Sequence, residues 1–217
     1  MHKATSCTKA VEMIPDGATL MIGGFLGIGT PKRMIEEIIR QGKKNLTVIA
    51  NDTGRPEVGI GKLVVAKLVK KVIASHIGTN PETQKQMIAG ELEVILTPQG
   101  TLAEQIRAGG YGLGGVLTAT GIGTTVAEGK QTIELQGKTY LIELPLHADF
   151  ALIAAHRADY LGNLEYALTA RNFNSVMATS ADIVFAEPDH IVPVGVIPPD
   201  AVITPFCCVD YIIERSN

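Results

Sequence analysis

The sequence contains no tryptophan, and aromatic residues make up only 5% of it. Little is left from which to build the stacking platforms that hold single-stranded nucleic acid. Positive charge is scarce too: 19 lysines and arginines face 22 acidic residues, for a net charge of −3, and no basic run exceeds a pair such as Lys43-Lys44 or Lys70-Lys71. That balance argues against a nucleic-acid partner. The three cysteines, Cys7, Cys207 and Cys208, form no CxxC and no metal-ligand spacing. They read as thiols of a reducing compartment, with no disulfide framework and no metal site. Apolar runs such as 151–155 are far too short to span a bilayer, and the first residues lack the apolar core of a secretory signal, so a cytoplasmic protein without a membrane segment is expected. GxSxG and HExxH are missing as well, which removes the hydrolase elbow and the zinc-protease helix.

What is present suits one domain, 1–217, built around a single core: 46% of its 217 residues are hydrophobic and 19% charged. Short β-rich runs at 19–22, 46–50, 71–76 and 93–97 alternate with helical patterns, predicting an α/β fold with an open, mostly parallel sheet flanked by helices. Residues 31–41 place Met34, Ile35, Ile38 and Ile39 on one helical face, and Gly42 closes that helix. Asn80-Pro81-Glu82 starts another helix, and Thr101 to Glu104 reads as the capping box of a third that Gly109-Gly110 stops. Residues 56–68 fit either a helix or a buried crossover. From 109 to 129 glycines are too dense for regular structure, so a functional loop is expected there. A β-hairpin insertion follows, with strands 132–135 and 139–143 joined by Gln136-Gly137-Lys138. Beyond it lie a buried strand at 150–154, a helix at 173–180, a strand at 183–186 and a proline-rich tail of edge strands and turns.

The most informative stretch runs from Thr19 through Gly23, Gly24, Phe25, Leu26, Gly27, Ile28 and Gly29 to Pro31. Glycines lacking Cβ atoms let a ligand reach main-chain N–H groups, while Thr30-Pro31 offer an N-cap and a proline at the first helical position. The positive end of the helix that follows would favour an anion. The competing explanation is a tight strand-to-helix turn and nothing more. A dinucleotide site is the main rival, because Asp52 lies just over twenty positions beyond the glycines, yet this segment contains no GxGxxG. A P-loop is excluded, since no Gly-Lys-Ser or Gly-Lys-Thr closes it. His76 sits just past a strand end, where a hydrogen-bonded structural role is the commoner outcome. Amides and hydroxyls gather at the strand ends, Asn51, Thr79, Asn80, Gln99 and Thr101 among them. Such groups orient a carbonyl or carboxylate and attack nothing.

Three segments then carry a resemblance: Gly-Gly-Phe-Leu-Gly-Ile-Gly-Thr-Pro at 23–31, His-Ile-Gly-Thr-Asn-Pro-Glu at 76–82, and Leu-Thr-Pro-Gln-Gly-Thr-Leu-Ala-Glu-Gln-Ile-Arg-Ala-Gly-Gly at 96–110. With Thr-Ala-Thr-Gly-Ile-Gly-Thr at 118–124 and Asp-Tyr-Leu-Gly-Asn at 159–163, the sequence resembles the alpha subunit of family I 3-oxoacid CoA-transferases, of the acetate/butyrate–acetoacetate type. The resemblance implies covalent catalysis in which a glutamate of a beta subunit attacks an acyl-CoA, a glutamyl-CoA thioester forms, and CoA passes to a second acid. That glutamate lies in a Glu-Asn-Gly motif, which these 217 residues lack. The nucleophile is therefore expected on a partner chain in an alpha2-beta2 heterotetramer. By the same resemblance, Gly23 to Gly29 would face CoA, bound as substrate and not as a resident cofactor, while Asn51 and Gln99 would face the reacting acyl and carboxylate groups. The role of Asp52 stays open. Ala119 stands where many relatives carry proline, which leaves the shape of that loop open. A nicotinamide-dependent oxidoreductase and a non-catalytic acyl-CoA binding module remain the alternatives.

Overall fold

The computed structural model describes residues 3–214; His2 lies outside them. Two short elements that the sequence pattern did not announce, β1 (Ala4–Thr5) and α1 (Cys7–Glu12), open the chain. Alternating strands and helices follow: β2 (Thr19–Ile22), α2 (Lys32–Gln41), β3 (Leu46–Asp52), α3 (Ile60–Val65), β4 (Val69–His76), α4 (Pro81–Ile88), β5 (Glu93–Leu96) and α5 (Gln99–Gly110). An excursion through β6 (Val116–Thr118), β7 (Thr132–Leu135) and β8 (Lys138–Glu143) leads to β9 (Ala148–Asp159), β10 (Leu164–Glu165), α6 (Asn174–Met177), β11 (Ala181–Val192) and β12 (Tyr211–Ile213).

The main sheet runs β1-β12-β11-β9-β2-β3-β4-β5 with every neighbouring pair parallel, and β10 alone lies antiparallel, against β9. The excursion forms a separate antiparallel sheet, β6-β8-β7. Strands covered on both faces need apolar side chains on both, and β2 shows why the run reads as continuous. Leu20 and Ile22 join Met34, Ile35 and Ile38 of α2 on one side, whereas Met21 meets Leu102, Ile106 and Met177 on the other. Each such fully buried side chain contributes about 1.5–3 kcal/mol.

Strand order reverses between β2 and β9: β3, β4 and β5 extend one way from β2, and β9, β11 and β12 the other. Ligand crevices in open α/β sheets form at such a point, beyond the carboxyl ends of the strands. The Gly23–Gly29 segment leaves the sheet there, with the Gly23 N–H donating to Leu152 O of β9 at 3.0 Å.

Several local expectations need correcting. Thr30 does not cap α2; Pro31 occupies the cap position without a side-chain bond. Glu187 of β11 does the capping, accepting from Arg33 N at 3.0 Å and Met34 N at 2.8 Å. Nor is there a capping box at Thr101, because α5 already begins at Gln99 and the Thr101 hydroxyl is buried without a partner. Gly109 and Gly110 end α5 as expected, forming its last two residues. A Cβ on Gly109 would lie 2.0 Å from Leu146 O, so that glycine permits close packing.

Residues 109–129 are only partly loop, since Val116–Thr118 pairs with β8. The hairpin turn has two residues rather than three: Gln136 (φ 52) and Gly137 (φ 72) form it, and Lys138 pairs with Leu135. Residues 56–68 resolve as a short helix, α3, and the helix expected at 173–180 is only α6. Strands β9 and β11 extend well past the expected cores, and β11 carries Pro188. That proline is tolerated because β12 pairs only with Phe185 and Ala186, leaving an open edge beside it. Among the described residues beyond β11, only β12 is a strand.

Candidate functional site

Beyond β2 the chain folds into a tight loop in which Phe25 and Ile28 exchange two backbone hydrogen bonds of 2.9 Å each. Leu26 at its tip adopts φ 49, a left-handed conformation that costs an L-residue about 1–2 kcal/mol. The four glycines are explained by the protein's own neighbours. An added Cβ would lie 1.8 Å from Asn174 Oδ1 at Gly23, 2.1 Å from Thr30 Oγ1 at Gly24, 2.2 Å from Val58 Cγ1 at Gly27 and 2.5 Å from Ala170 O at Gly29. Their number is thus a packing requirement and does not by itself report a ligand. The helix N-terminus behind them is likewise taken, because the Glu187 carboxylate occupies the position an anion would use. What the loop offers outward is apolar: Phe25, Leu26 and Ile28 are all exposed.

Two asparagines that sequence reasoning missed hold this loop from below. Asn172 Oδ1 accepts from Gly24 N, and its Nδ2 donates to Ile28 O. Asn174 Nδ2 donates to Gly29 O while Oδ1 accepts from Ala154 N of β9. The only signal was the pattern Arg-Asn-Phe-Asn at 171–174, which looks like an ordinary polar turn.

The expected substrate residues, Asn51 and Gln99, do come together. Gln99 opens α5 and donates Nε2 to Asn51 Oδ1 at 2.6 Å. Asn51 is buried near the end of β3, its Nδ2 donating to Asp52 Oδ2 at 2.6 Å and its backbone carbonyl accepting from Ser75 Oγ at 2.7 Å. Asp52 Oδ2 also accepts from Leu26 N at 3.0 Å, and Oδ1 from Gly54 N at 2.7 Å. Both carboxylate oxygens are committed to the protein. This removes the acidic residue on which a dinucleotide reading rested. His76, exposed at the end of β4, takes no part in these bonds.

Gln99 is exposed and opens, with Phe25, into a cleft of about 480 Å³ that Arg107, Arg171, Phe173 and Ser175 also line. No carboxylate, thiol or imidazole lines it, and neither does any residue of 109–129. Among the described residues no group of histidine, cysteine and carboxylate side chains could hold a metal ion.

A sequence profile of the family described as coenzyme A transferase matches residues 4–215. The chain belongs to the coenzyme A transferase family. It is 57% identical over 215 residues to the acetate CoA-transferase subunit alpha of Escherichia coli strain K12, covering 99% of this chain and 98% of that one. It is 50% identical over 200 residues to the acetoacetyl-CoA:acetate/butyrate CoA transferase alpha subunit of Clostridium acetobutylicum, covering 92% of each. Among solved structures, an acyl-CoA transferase of E. coli O157:H7, determined as a thioester complex with CoA, shares the fold. There the TM-score is 0.87 at 24% identity, over 99% of this chain and 47% of that longer one. Glutaconate coenzyme A-transferase from Acidaminococcus fermentans shares the fold too, with a TM-score of 0.86 at 19% identity, over 98% of this chain and 75% of that one.

Two of the three cysteines of this coenzyme A transferase chain, Cys7 and Cys208, lack the setting of nucleophiles. Burial, with Glu187 adding to it, pushes the Cys7 thiol up to about 12. Cys208 is raised by burial and by its neighbour Cys207. Both Cys207 and Cys208 line a second cleft of about 600 Å³ that shares Arg107, Arg171 and Ser175 with the first. A thiol whose pKa is raised is a poorer source of thiolate.

Proposed function

We propose that this chain is the alpha subunit of a heteromeric CoA-transferase. It moves CoA between a short-chain acyl-CoA or 3-oxoacyl-CoA and a short-chain carboxylate such as acetate or butyrate. The nucleophile is a glutamate in a Glu-Asn-Gly motif of a beta subunit, in a cytoplasmic alpha2-beta2 assembly, and CoA enters as substrate. The observation that carries the reading is the exposed Gln99 carboxamide, pinned by Asn51 in a cleft lined by no carboxylate, thiol or imidazole. Such a cleft is half of a site: it has groups to orient an acyl carbonyl or carboxylate and no carboxylate of its own to attack it.

Gln99 has one Nε2 hydrogen committed to Asn51, so a second hydrogen and the Oε1 carbonyl remain for substrate. A neutral amide donor stabilises developing negative charge without competing for the partner's carboxylate. Asn51, buried behind Gln99, holds that amide in place. Arg171, and Arg107 paired with Glu104 at 3.1 Å, put guanidinium groups on the same cleft for the anionic ends of its substrates. The exposed Phe25, Leu26 and Ile28 supply an apolar rim for the thioester arm of CoA.

The test is to purify the chain alone and co-expressed with its Glu-Asn-Gly partner, then assay CoA transfer from acetoacetyl-CoA to acetate and to butyrate. Turnover should require both chains. Sustained turnover by partner-free protein would place the nucleophile here and overturn the reading.

A further inference from the structure

We propose that Asp52 is a positioning residue that fixes both the sense and the place of the Gln99 amide and ties it to the tip of the Gly23–Gly29 loop. The inference rests on the site reading above. A carboxylate has only acceptor oxygens, whereas a carboxamide has a donor end and an acceptor end. With Asp52 Oδ2 2.6 Å from Asn51 Nδ2, the Asn51 amide can face it only donor first. Its Oδ1 is then turned toward Gln99, which must answer with Nε2. Asp52 thereby decides, through two successive hydrogen bonds, that Gln99 shows its substrate one N–H and one carbonyl oxygen rather than a whole NH₂ group.

The same Oδ2 atom accepts from Leu26 N at 3.0 Å. That bond holds the one non-glycine residue of the loop that is left-handed, at φ 49, beside the apolar side chains of Phe25 and Ile28. Oδ1 is anchored independently by Gly54 N at 2.7 Å. Buried and held from three sides, Asp52 is a fixed post between the loop and the amide pair. A shift of the loop tip on ligand contact is therefore felt at Gln99 through one shared oxygen atom.

Asp52→Asn tests this with little change of shape. An asparagine can present an acceptor to the Leu26–Asn51 side or to Gly54, not to both, so one donor meets a donor or the amide chain reverses. In the assembled enzyme, D52N should lower kcat by about 10–100-fold, the scale of a displaced reacting group, with a smaller change in KM for the acids. The deciding measurement is the double-mutant cycle with Q99A. If Asp52 acts through the amide pair, D52N should cost no more than about 3-fold once Gln99 is gone, because the group it positions is absent. Equal losses in both backgrounds, or none in either, would overturn the proposal. D52S replaces D52N in the same cycle should the latter fail to assemble. Normal rates for Q99A itself would instead sink the site reading, so the two failures are told apart.

Discussion

The carboxylate of Glu187 stands at the N-terminus of α2 where an incoming anion was expected, and removing it gives the sharpest test of that correction. In Glu187→Ala the N–H groups of Arg33 and Met34 lose acceptors at 3.0 and 2.8 Å, and the Arg33 guanidinium loses its partner at 3.4 Å. Losing a helix cap costs about 1 kcal/mol. The charge at the dipole adds no net gain, because burial disfavours the ionised carboxyl more than the N–H groups favour it. The Met34 N–H is buried, and an orphaned donor costs about 1–3 kcal/mol, a term that overlaps the cap. Together these give about 1–3 kcal/mol, read as a shift in the urea midpoint at unchanged slope. Glu187→Gln keeps one acceptor and the volume, so it should cost less than half as much.

Burial raises the Glu187 carboxyl above its ordinary value of 4.5, against the pull of the Arg33 and Met34 N–H groups. A raised carboxyl holds its proton more tightly folded than unfolded. Its favourable contribution is therefore complete below pH 4.5 and fades as pH climbs through the raised value. E187Q should remove that downward slope. If E187A loses under 1 kcal/mol, or if E187Q and E187A lose equally, the capping argument is wrong.

Gly23→Ala should fold poorly or not at all, because its Cβ would sit 1.8 Å from Asn174 Oδ1; a normal melting temperature would show that Asn174 yields and that the glycine serves something else. Gln99→Ala in the assembled enzyme should lower kcat/KM by ~10–1000-fold without loss of stability, measured in both half-reactions. Under native iodoacetamide labelling at pH 8, the exposed Cys207 should react first and Cys7, raised to about 12, last. A triple Cys→Ser variant should keep most of its turnover; complete inactivation of an intact assembly would return a thiol to the mechanism.

The parallel sheet was legible because strands buried on both faces leave unbroken apolar runs, as at Leu20 to Ile22. Asn80 was legible as a cap because its side chain serves donors two and three residues ahead, on Glu82 and Thr83. Glu187 was not, because it caps α2 from another part of the chain, and no local pattern links residue 187 to residue 33. The true lengths of β9 and β11 were hidden for a different reason. The far end of β11 is largely exposed, as at Asp189 and His190, and that of β9 carries the half-buried polar pair His156 and Arg157, so hydrophobicity fades before hydrogen bonding does. Gln99 and Asn51 were found as strand-end amides, but their bond to each other depends on how β3 lies beside α5, which only the fold supplies.

The outer edge of the sheet has a bearing on how the chain reaches this structure. Ala4 and Thr5 pair with Ile212 and Ile213, and the strand they join pairs in turn with Phe185 and Ala186. While the chain is being synthesised, β11 must wait with an open edge until residues 211–213 emerge, and β1 waits longer still for the same three residues. Contacts this distant in sequence form slowly, and an unpaired parallel edge invites association with other chains. Trimming or fusing onto the C-terminal side of β12 should therefore lower the yield of monodisperse protein even though no residue of β1, β11 or β12 lines the Gln99 cleft.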